Sequence, residues 1–293
     1  MENFRPCPSC GAKNGKIRGA KNNFQIRECS KCLTIFTGHL PRLDESENYD
    51  SYYTEANLKV PEFIYKRLSD LVESFSSYRQ TNRWLDIGFG AGALMQVAAE
   101  LGWDVYGIEV SKPAVEQAKN LGFKVFHGEL HEANYEDGFF DVVTASEILE
   151  HLYEPQKLLN EVHRVLRPGG LFWATTPSSR GITPRFLGID WTVVSPPEHL
   201  QIFSKRGVLI MLKNAGFTKI RLQTHGVNPF EIINYFQHYF LLKKENNFDR
   251  VITSYQINER LESSSMKKAV KRALNYVLDL AQIGDSIKIY ACK

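Results

Sequence analysis

No apolar run in this 293-residue chain approaches the roughly 20 residues that a helix needs to cross a bilayer. The N-terminus, MENFRPCPSC, also lacks the apolar core that directs export. Together these absences place the protein in the cytoplasm. Charge of one sign is scarce too: 36 basic against 33 acidic residues leave +3, too little to mark a nucleic-acid binder, although nucleic acid stays open as a partner. Cysteines number five, at Cys7, Cys10, Cys29, Cys32 and Cys292, and without an export signal they are expected to stay reduced. A disulfide scaffold is thereby set aside. What remains, 43% hydrophobic and 24% charged residues, is the composition of a globular protein, long enough for one α/β domain of ordinary size plus additions.

Four of the cysteines come as two Cys-x-x-Cys pairs, Cys7/Cys10 and Cys29/Cys32, eighteen residues apart. Each pair can grip one ion from a tight turn, and four thiolates close a tetrahedral shell around zinc with no open position. So short a segment has too few apolar residues for a core of its own, so the metal would supply much of its folding free energy. Residues 1–40 resemble a zinc ribbon, which implies a structural staple packed on a larger domain. A second reading has Lys13, Lys16, Arg18, Lys21 and Arg27 touching a phosphate-bearing substrate or nucleic acid; a solvated basic face is the plainer account of them.

The chain is organised around Leu85-Asp86-Ile87-Gly88-Phe89-Gly90-Ala91-Gly92. Arg83 to Ile87 reads as a short strand and Ala93 to Leu101 as the helix that follows. Between them three alternate glycines let the backbone turn tightly and lie against a ligand, with free N–H groups of the helix N-terminus facing it. A second strand, Asp104 to Ile108, ends in Glu109, whose carboxylate can take both hydroxyls of a ribose. This stretch resembles motif I of the class I S-adenosylmethionine-dependent methyltransferases, with its Asp-x-Gly-x-Gly-x-Gly pattern; the likeness runs from about Trp84 to Phe217. It implies a Rossmann-like α/β sheet with helices on both faces, S-adenosylmethionine as cofactor, and contacts to it from Asp86, Gly88, Phe89, Gly90, Gly92, Glu109, Val110 and Ser146. From the same resemblance, Glu129 and Leu130 are expected beside the adenine.

The remaining chain alternates strand and helix, as a parallel sheet requires. Residues 41–82 read as an acidic linker followed by a helix over Pro61 to Ser77, and Tyr49, Tyr52 and Tyr53 are candidates to line the mouth of the site. Ser111 is placed as the cap of a helix through Leu121, Lys124 to His127 as the third strand, Phe140 to Ala145 as the fourth. Pro155 to Leu166 is helical, Arg167-Pro168-Gly169-Gly170 a stop and turn, Leu171 to Thr176 the fifth strand. The core is thus assigned to 83–225, with a last strand over Ser286 to Cys292 at the sheet edge. Residues 226–285 carry two apolar stretches at helical spacing, Phe230 to Leu242 and Met266 to Ile283, which form a lid, a dimer surface or ordinary core; the charged interval 243–250 reads as an exposed turn. Monomer and homodimer both stay open.

Chemistry is expected after the fourth strand, in Ser146-Glu147-Ile148-Leu149-Glu150-His151-Leu152, because that strand end opens where substrate meets cofactor. On one helical turn Glu147, Glu150 and His151 share a face, and His199 arrives in Ser195-Pro196-Pro197-Glu198-His199-Leu200. The Glu-x-x-Glu-His pattern with a later histidine is similar to two metal-assisted O-methyltransferase groups, those acting on small-RNA 3′ ends and those of ubiquinone biosynthesis. That likeness implies a second divalent ion at Glu147, Glu150, His151 and His199. A histidine base without metal and purely structural roles are the other readings. The wall of the acceptor pocket is placed in Thr176 to Phe203, with Trp191 as a stacking platform and Arg180 and Arg185 as anion holders; packed or solvated side chains are the plainer alternative. The ribbon, core and Pro-Pro-Glu-His-Leu together resemble bacterial enzymes that modify sugars of surface glycans or natural products, which implies O-methylation of a small sugar-containing acceptor. Aromatic, lipid-like and RNA acceptors are alternatives, as is a non-catalytic binding module, against which the intact Asp86, Gly88, Gly90, Gly92 and Glu109 speak.

Overall fold

The structure is a computed structural model that describes residues 4–41, 62–241 and 265–293. Tyr49, Tyr52 and Tyr53, most of the 41–61 linker and the interval 243–250 lie outside the described residues. Among the described residues no helix is long and apolar enough to cross a membrane.

Seven strands make the central sheet: β4 (Arg83–Ile87), β5 (Asp104–Glu109), β6 (Lys124–His127), β7 (Phe140–Ser146), β8 (Leu166–Pro177), β10 (Thr218–His225) and β11 (Ser286–Cys292), in the order β10-β11-β8-β7-β4-β5-β6. β4 to β8 run parallel, whereas β11 is antiparallel to both of its neighbours. The last strand is therefore not at the edge, as its position in the sequence suggests. It slots between β8 and β10, and β10 becomes the edge. The physical reason is apolar: Ile287, Ile289 and Ala291 are fully buried in the main core, a load no edge strand carries.

Helices cover both faces. On one, α1 (Glu62–Glu73), α2 (Ala93–Glu100) and α3 (Lys112–Asn120) cover a cluster that includes Val72, Phe75, Trp84, Val97, Val115 and Trp173. On the other, α4 (Pro155–Val165) and α6 (Lys205–Asn214) set Leu159, Val162, Val208 and Met211 against Leu85, Val143 and Phe172. Burial of such side chains is worth about 1.5–3 kcal/mol each, so these two faces hold the sheet. Two further helices, α7 (Pro229–Leu241) and α8 (Ser265–Leu280), sit between β10 and β11, where the sequence shows its apolar additions. α8 leaves Val270, Leu274, Val277 and Leu280 exposed, while Leu278 is buried.

Two local readings change. The Arg167–Gly170 turn does not precede the fifth strand but lies within it: β8 begins at Leu166, and pairing with β7 slips between Phe140↔Leu166 and Val142↔Leu171, so the turn is absorbed as a bulge. Ser111 occupies the cap position of α3 but makes no capping bond; its hydroxyl is buried without a partner.

The N-terminal unit is built from β1 (Gly15–Lys21), β2 (Phe24–Cys29) and β3 (Ile35–Thr37), and it is not self-contained. β3 pairs antiparallel with β9 (Gln201–Ile202), so the segment after Pro-Pro-Glu-His-Leu completes a four-stranded sheet, β1-β2-β3-β9. Arg5 Nη2 donates to Leu200 O at 2.7 Å, Lys21 Nζ to Ile189 O and Trp191 O at 2.9 and 3.0 Å, and Ser204 Oγ to Cys32 O. The ribbon is a wall of the main domain.

Entry into β4 is fixed by one carboxylate. Asp141, fully buried, accepts the N–H groups of Gln80, Thr81 and Asn82 at 2.9, 2.8 and 2.7 Å and the Arg167 Nε at 2.5 Å. Burial works to raise its pKa, but Arg167 and the backbone donors outweigh it and hold the group below the ordinary carboxylate value. Asp141→Ala leaves Arg167 and three N–H groups without their acceptor, and we expect a loss of about 3–5 kcal/mol in urea unfolding; a loss below about 1 kcal/mol would show that solvent replaces the carboxylate.

Candidate active site

β4 delivers the glycine turn. Gly88, Gly90 and Gly92 all have left-handed φ, at 66°, 52° and 74°. At Gly88 the demand is steric as well as conformational, because a Cβ there would stand 2.1 Å from Ile148 Cδ1. Gly92 is the N-cap of α2, and a Cβ on it would meet nothing within 4 Å, so the turn keeps one open face. Phe89 turns inward beneath it, 7% exposed, against Gly107 and Met95.

Two buried carboxyl groups flank the turn. Asp86 Oδ1 accepts the hydroxyl of Thr144 at 2.6 Å, and Thr144 in turn accepts the indole N–H of Trp84 at 3.0 Å. Burial pushes the Asp86 carboxyl up to about 7, with the Thr144 bond opposing and Glu109 adding to the rise. Glu109 takes the N–H of Gly90 on one oxygen at 3.0 Å and those of Val110 and Ser111 on the other at 2.8 and 3.0 Å. It thereby ties the glycine turn to the end of β5.

The other residues expected around a cofactor divide. Val110 is 47% exposed beside this carboxylate, and Ser146 Oγ lies 2.9 Å from Thr175 Oγ1 at the end of β7. Leu130 sends its side chain into the main core, 2% exposed. Glu129 points to solvent, where it caps a short 3-10 turn with Glu132 and lies 3.2 Å from His131 Nδ1.

The loop after β7 is held under tension and from outside itself. Glu147 has φ +55°, a left-handed conformation that is rare for a glutamate and characteristic of functional loops. Gln201 Nε2 reaches the carbonyls of Leu149, Glu150 and Leu152 at 3.0, 3.1 and 2.8 Å. Sequence reasoning did not single out Gln201 or Thr144, and no local signal marks them; both matter only through partners about 50 or 60 residues away in the chain.

Of the four grouped residues, Glu150, His151 and His199 bring one donor atom each within 4.8 Å of the others; the exposed Glu147 is outside that set. The two imidazoles meet edge to face, ring centroids 4.6 Å apart. His151 Nδ1 lies 3.0 Å from Glu198 O and His199 Nδ1 2.6 Å from Val193 O, so each ring has one nitrogen at a backbone carbonyl. Glu150 is fully buried: one oxygen accepts Thr176 Oγ1 at 3.0 Å and the other has no hydrogen-bond partner. Burial first, then the neighbouring Glu147 carboxylate, raises its pKa well above the usual range.

Cys7, Cys10, Cys29 and Cys32 converge as the spacing predicts, with their sulfurs within 4.8 Å of one another and the Cys7–Cys32 and Cys10–Cys29 pairs at 3.5 Å. Sulfurs of a tetrahedral zinc site stand roughly 3.8 Å apart, given Zn–S bonds of about 2.3 Å, so the cluster fits that ion. Of the ribbon's basic residues, Arg18 is paired with Glu28, Arg27 lies over the Phe4 ring at 4.1 Å, and Lys21 is spent on carbonyls. Trp191 is no open platform: it is 3% exposed, packed with Phe24, Ile26, Val193 and Ile202 between ribbon and core. Arg185 is exposed, and Arg180 is half-buried behind Ser178.

A seven-stranded sheet with one reversed strand, a glycine turn at its first parallel strand and an acidic residue closing the next define the class I methyltransferase fold. A solved structure of this fold, a SAM-dependent methyltransferase from Archaeoglobus fulgidus, superposes with a TM-score of 0.55 at 17% identity, covering 84% of this chain and all of that one. The family described as methyltransferase domain matches residues 60–222, more than half of the chain. The chain belongs to that family, the S-adenosylmethionine-dependent methyltransferases. A probable S-adenosylmethionine-dependent methyltransferase of Mycolicibacterium smegmatis is 30% identical over 135 residues, 45% of this chain and 51% of that protein. A ubiquinone biosynthesis O-methyltransferase of Alkalilimnicola ehrlichii is 26% identical over 179 residues, 54% of this chain and 72% of that protein. The chain thus spans between half and three quarters of these relatives.

Two outcomes test the turn. Gly88→Val, with both a left-handed backbone and Ile148 against it, should abolish S-adenosylmethionine binding by calorimetry while the zinc content of the ribbon is unchanged; loss of both would mean general misfolding. Asp86, ionised in the unfolded chain above about pH 4 but protonated in the fold up to about 7, makes the fold lose stability as pH rises through that window. The Tm of Asp86→Asn relative to the parent should therefore climb between pH 4 and pH 8, and a flat difference would refute the raised pKa.

Proposed function

We propose that the protein transfers the methyl group of S-adenosylmethionine to a hydroxyl oxygen of a small acceptor, a sugar or a natural-product intermediate. The Glu150, His151 and His199 group at the carboxyl end of β7 carries this reading, since an O-methyltransferase must dispose of the hydroxyl proton and a simple binding module needs no such group. The O-methyltransferase activity in the name of the ubiquinone-pathway relative supports the same atom as acceptor.

The glycine turn, Glu109 and the N-terminus of α2 would hold the cofactor so that its electrophilic methyl carbon faces the loop after β7. The hydroxyl attacks in line, S-adenosylhomocysteine leaves, and holding the two reactants together supplies a large share of the rate. His151 is kept neutral: burial above all, then the neighbouring His199, lowers its pKa to about 4. A neutral His151 ring next to the acceptor can receive the proton released on attack. The same donor set also fits a divalent ion, because a buried carboxyl oxygen without a partner and imidazoles oriented by backbone carbonyls are what such an ion uses. When bound there, it would lower the pKa of the acceptor hydroxyl.

The test is turnover of His199→Ala and Glu150→Gln, followed by S-adenosylhomocysteine release on a panel of sugar nucleotides and phenols. We expect kcat to fall roughly 100-fold or more with cofactor affinity unchanged; undiminished kcat in both variants would remove the group from the chemistry.

A further inference from the structure

The turn that carries Glu150 and His151 is not helical, so its carbonyl groups need donors from elsewhere in the chain. At its start Glu147 N donates to Thr175 O at 3.0 Å, and within it His151 N donates to Ile148 O at 3.1 Å. The carbonyls of Leu149, Glu150 and Leu152 converge instead on one side chain. Gln201 Nε2 lies 3.0, 3.1 and 2.8 Å from them, and the Leu200 and Gln201 N–H groups add bonds to Glu150 O at 2.9 and 3.3 Å. A primary amide has two N–H donors, so three carbonyls at its nitrogen saturate it. Gln201 is 1% exposed, and no solvent stands ready to replace it.

The oxygen of the same amide is fixed from the ribbon. Arg5 Nη2 donates to Gln201 Oε1 at 3.0 Å and to Leu200 O at 2.7 Å, while its Nε donates to Thr37 O at 2.8 Å. Phe36 of β3 is the strand partner of Gln201, and the Arg5 guanidinium stands 5.7 Å from its ring centroid. With a guanidinium at its oxygen and carbonyls at its nitrogen, the amide has one favourable orientation; turned over, it would set donor against donor and acceptor against acceptor. Arg5 thus decides which way Gln201 faces.

We infer that Gln201, turned by Arg5, is a positioning residue for methyl transfer: it fixes the backbone of Leu149 to Leu152 and thereby sets where the Glu150 carboxyl and the His151 ring stand. This rests on the proton-handling role given to that group above. The ribbon then takes part in the reaction as well as in the fold, because Arg5 and Phe36 belong to it. Displacing a reacting group by about 1 Å costs on the order of 100-fold in rate. A glutamine that only stabilised the fold would lower the Tm and leave kcat per folded molecule as it was.

The experiment follows amide hydrogen exchange of the full chain over residues 147–152, with β5 as internal reference, in the parent, Gln201→Met, Arg5→Met, Arg5→Lys and the double variant Arg5→Met/Gln201→Met. Calorimetric S-adenosylhomocysteine affinity, and kcat and KM on the panel above, are measured alongside. Exchange of the Glu147 and His151 amides should rise roughly tenfold or more in Gln201→Met and in Arg5→Met, while β5 keeps the parent rate. Arg5→Lys, which retains a cation for Oε1, should recover most of the protection. In the double variant the two effects should fall well short of additive, because Arg5 acts through Gln201. In Gln201→Met kcat should drop roughly 10- to 100-fold, with the KM for S-adenosylmethionine and the S-adenosylhomocysteine affinity unchanged. Unchanged exchange over 147–152 in Gln201→Met, full additivity of the two substitutions, or an equal rise in β5 would overturn the inference. So would undiminished kcat in Gln201→Met where His199→Ala and Glu150→Gln lose it. Undiminished kcat in all three would instead count against the proton-handling reading, and the exchange data, which need no acceptor, would still decide whether Arg5 and Gln201 place the segment.

Discussion

Gly88 and Ile148 cannot both be larger than they are. The turn after β4 and the loop after β7 touch at this point, where a single added carbon would overlap Ile148 Cδ1 at 2.1 Å. The turn after β4 and the loop after β7 therefore pack directly against each other through the Ile148 side chain. Methyl transfer depends on holding two reactants in line, so an interlock between their two supports is where positional accuracy should be concentrated. Thr144 extends it downward, joining Asp86 and Trp84 across β7 and β4 in a chain of buried hydrogen bonds.

A second restraint reaches the loop from the far end of the chain. β3 of the ribbon pairs with β9, and Gln201 in β9 donates to the carbonyls that shape the Glu150–His151 segment. Arg5 adds a bond to Gln201 Oε1 at 3.0 Å. The four-cysteine cluster thus supports the strand that supports the loop, and a metal held there would do more than hold the ribbon together. Zinc bound there would supply folding free energy to a segment with little core of its own, and the β3–β9 pairing would pass that stability on to Gln201.

Charge is partitioned across the carboxyl ends of the strands. Toward β5 stand the buried carboxyl groups of Asp86 and Glu109. At β7 and β8 lie the His151 and His199 rings and the buried Glu150, and burial, then His199, lowers the pKa of His151.

Local pattern alone fixed a good deal. Alternating strands and helices, the Gly-x-Gly-x-Gly turn and the paired Cys-x-x-Cys knuckles are short-range features whose geometry follows from neighbouring residues, and each stands in the structure where the spacing puts it. Trp191, Gln201 and β11 were decided only by the tertiary fold. Trp191 became core because the ribbon packs over it, and Gln201 gained meaning when β9 joined a sheet formed more than 160 residues earlier. β11 moved inside because Ile287 and Ile289 are buried with a strand on either side. A sequence read from one end carries periodicity and turn chemistry; which distant residues share a face is set by strand pairing, and long-range pairing leaves no mark on the residues between.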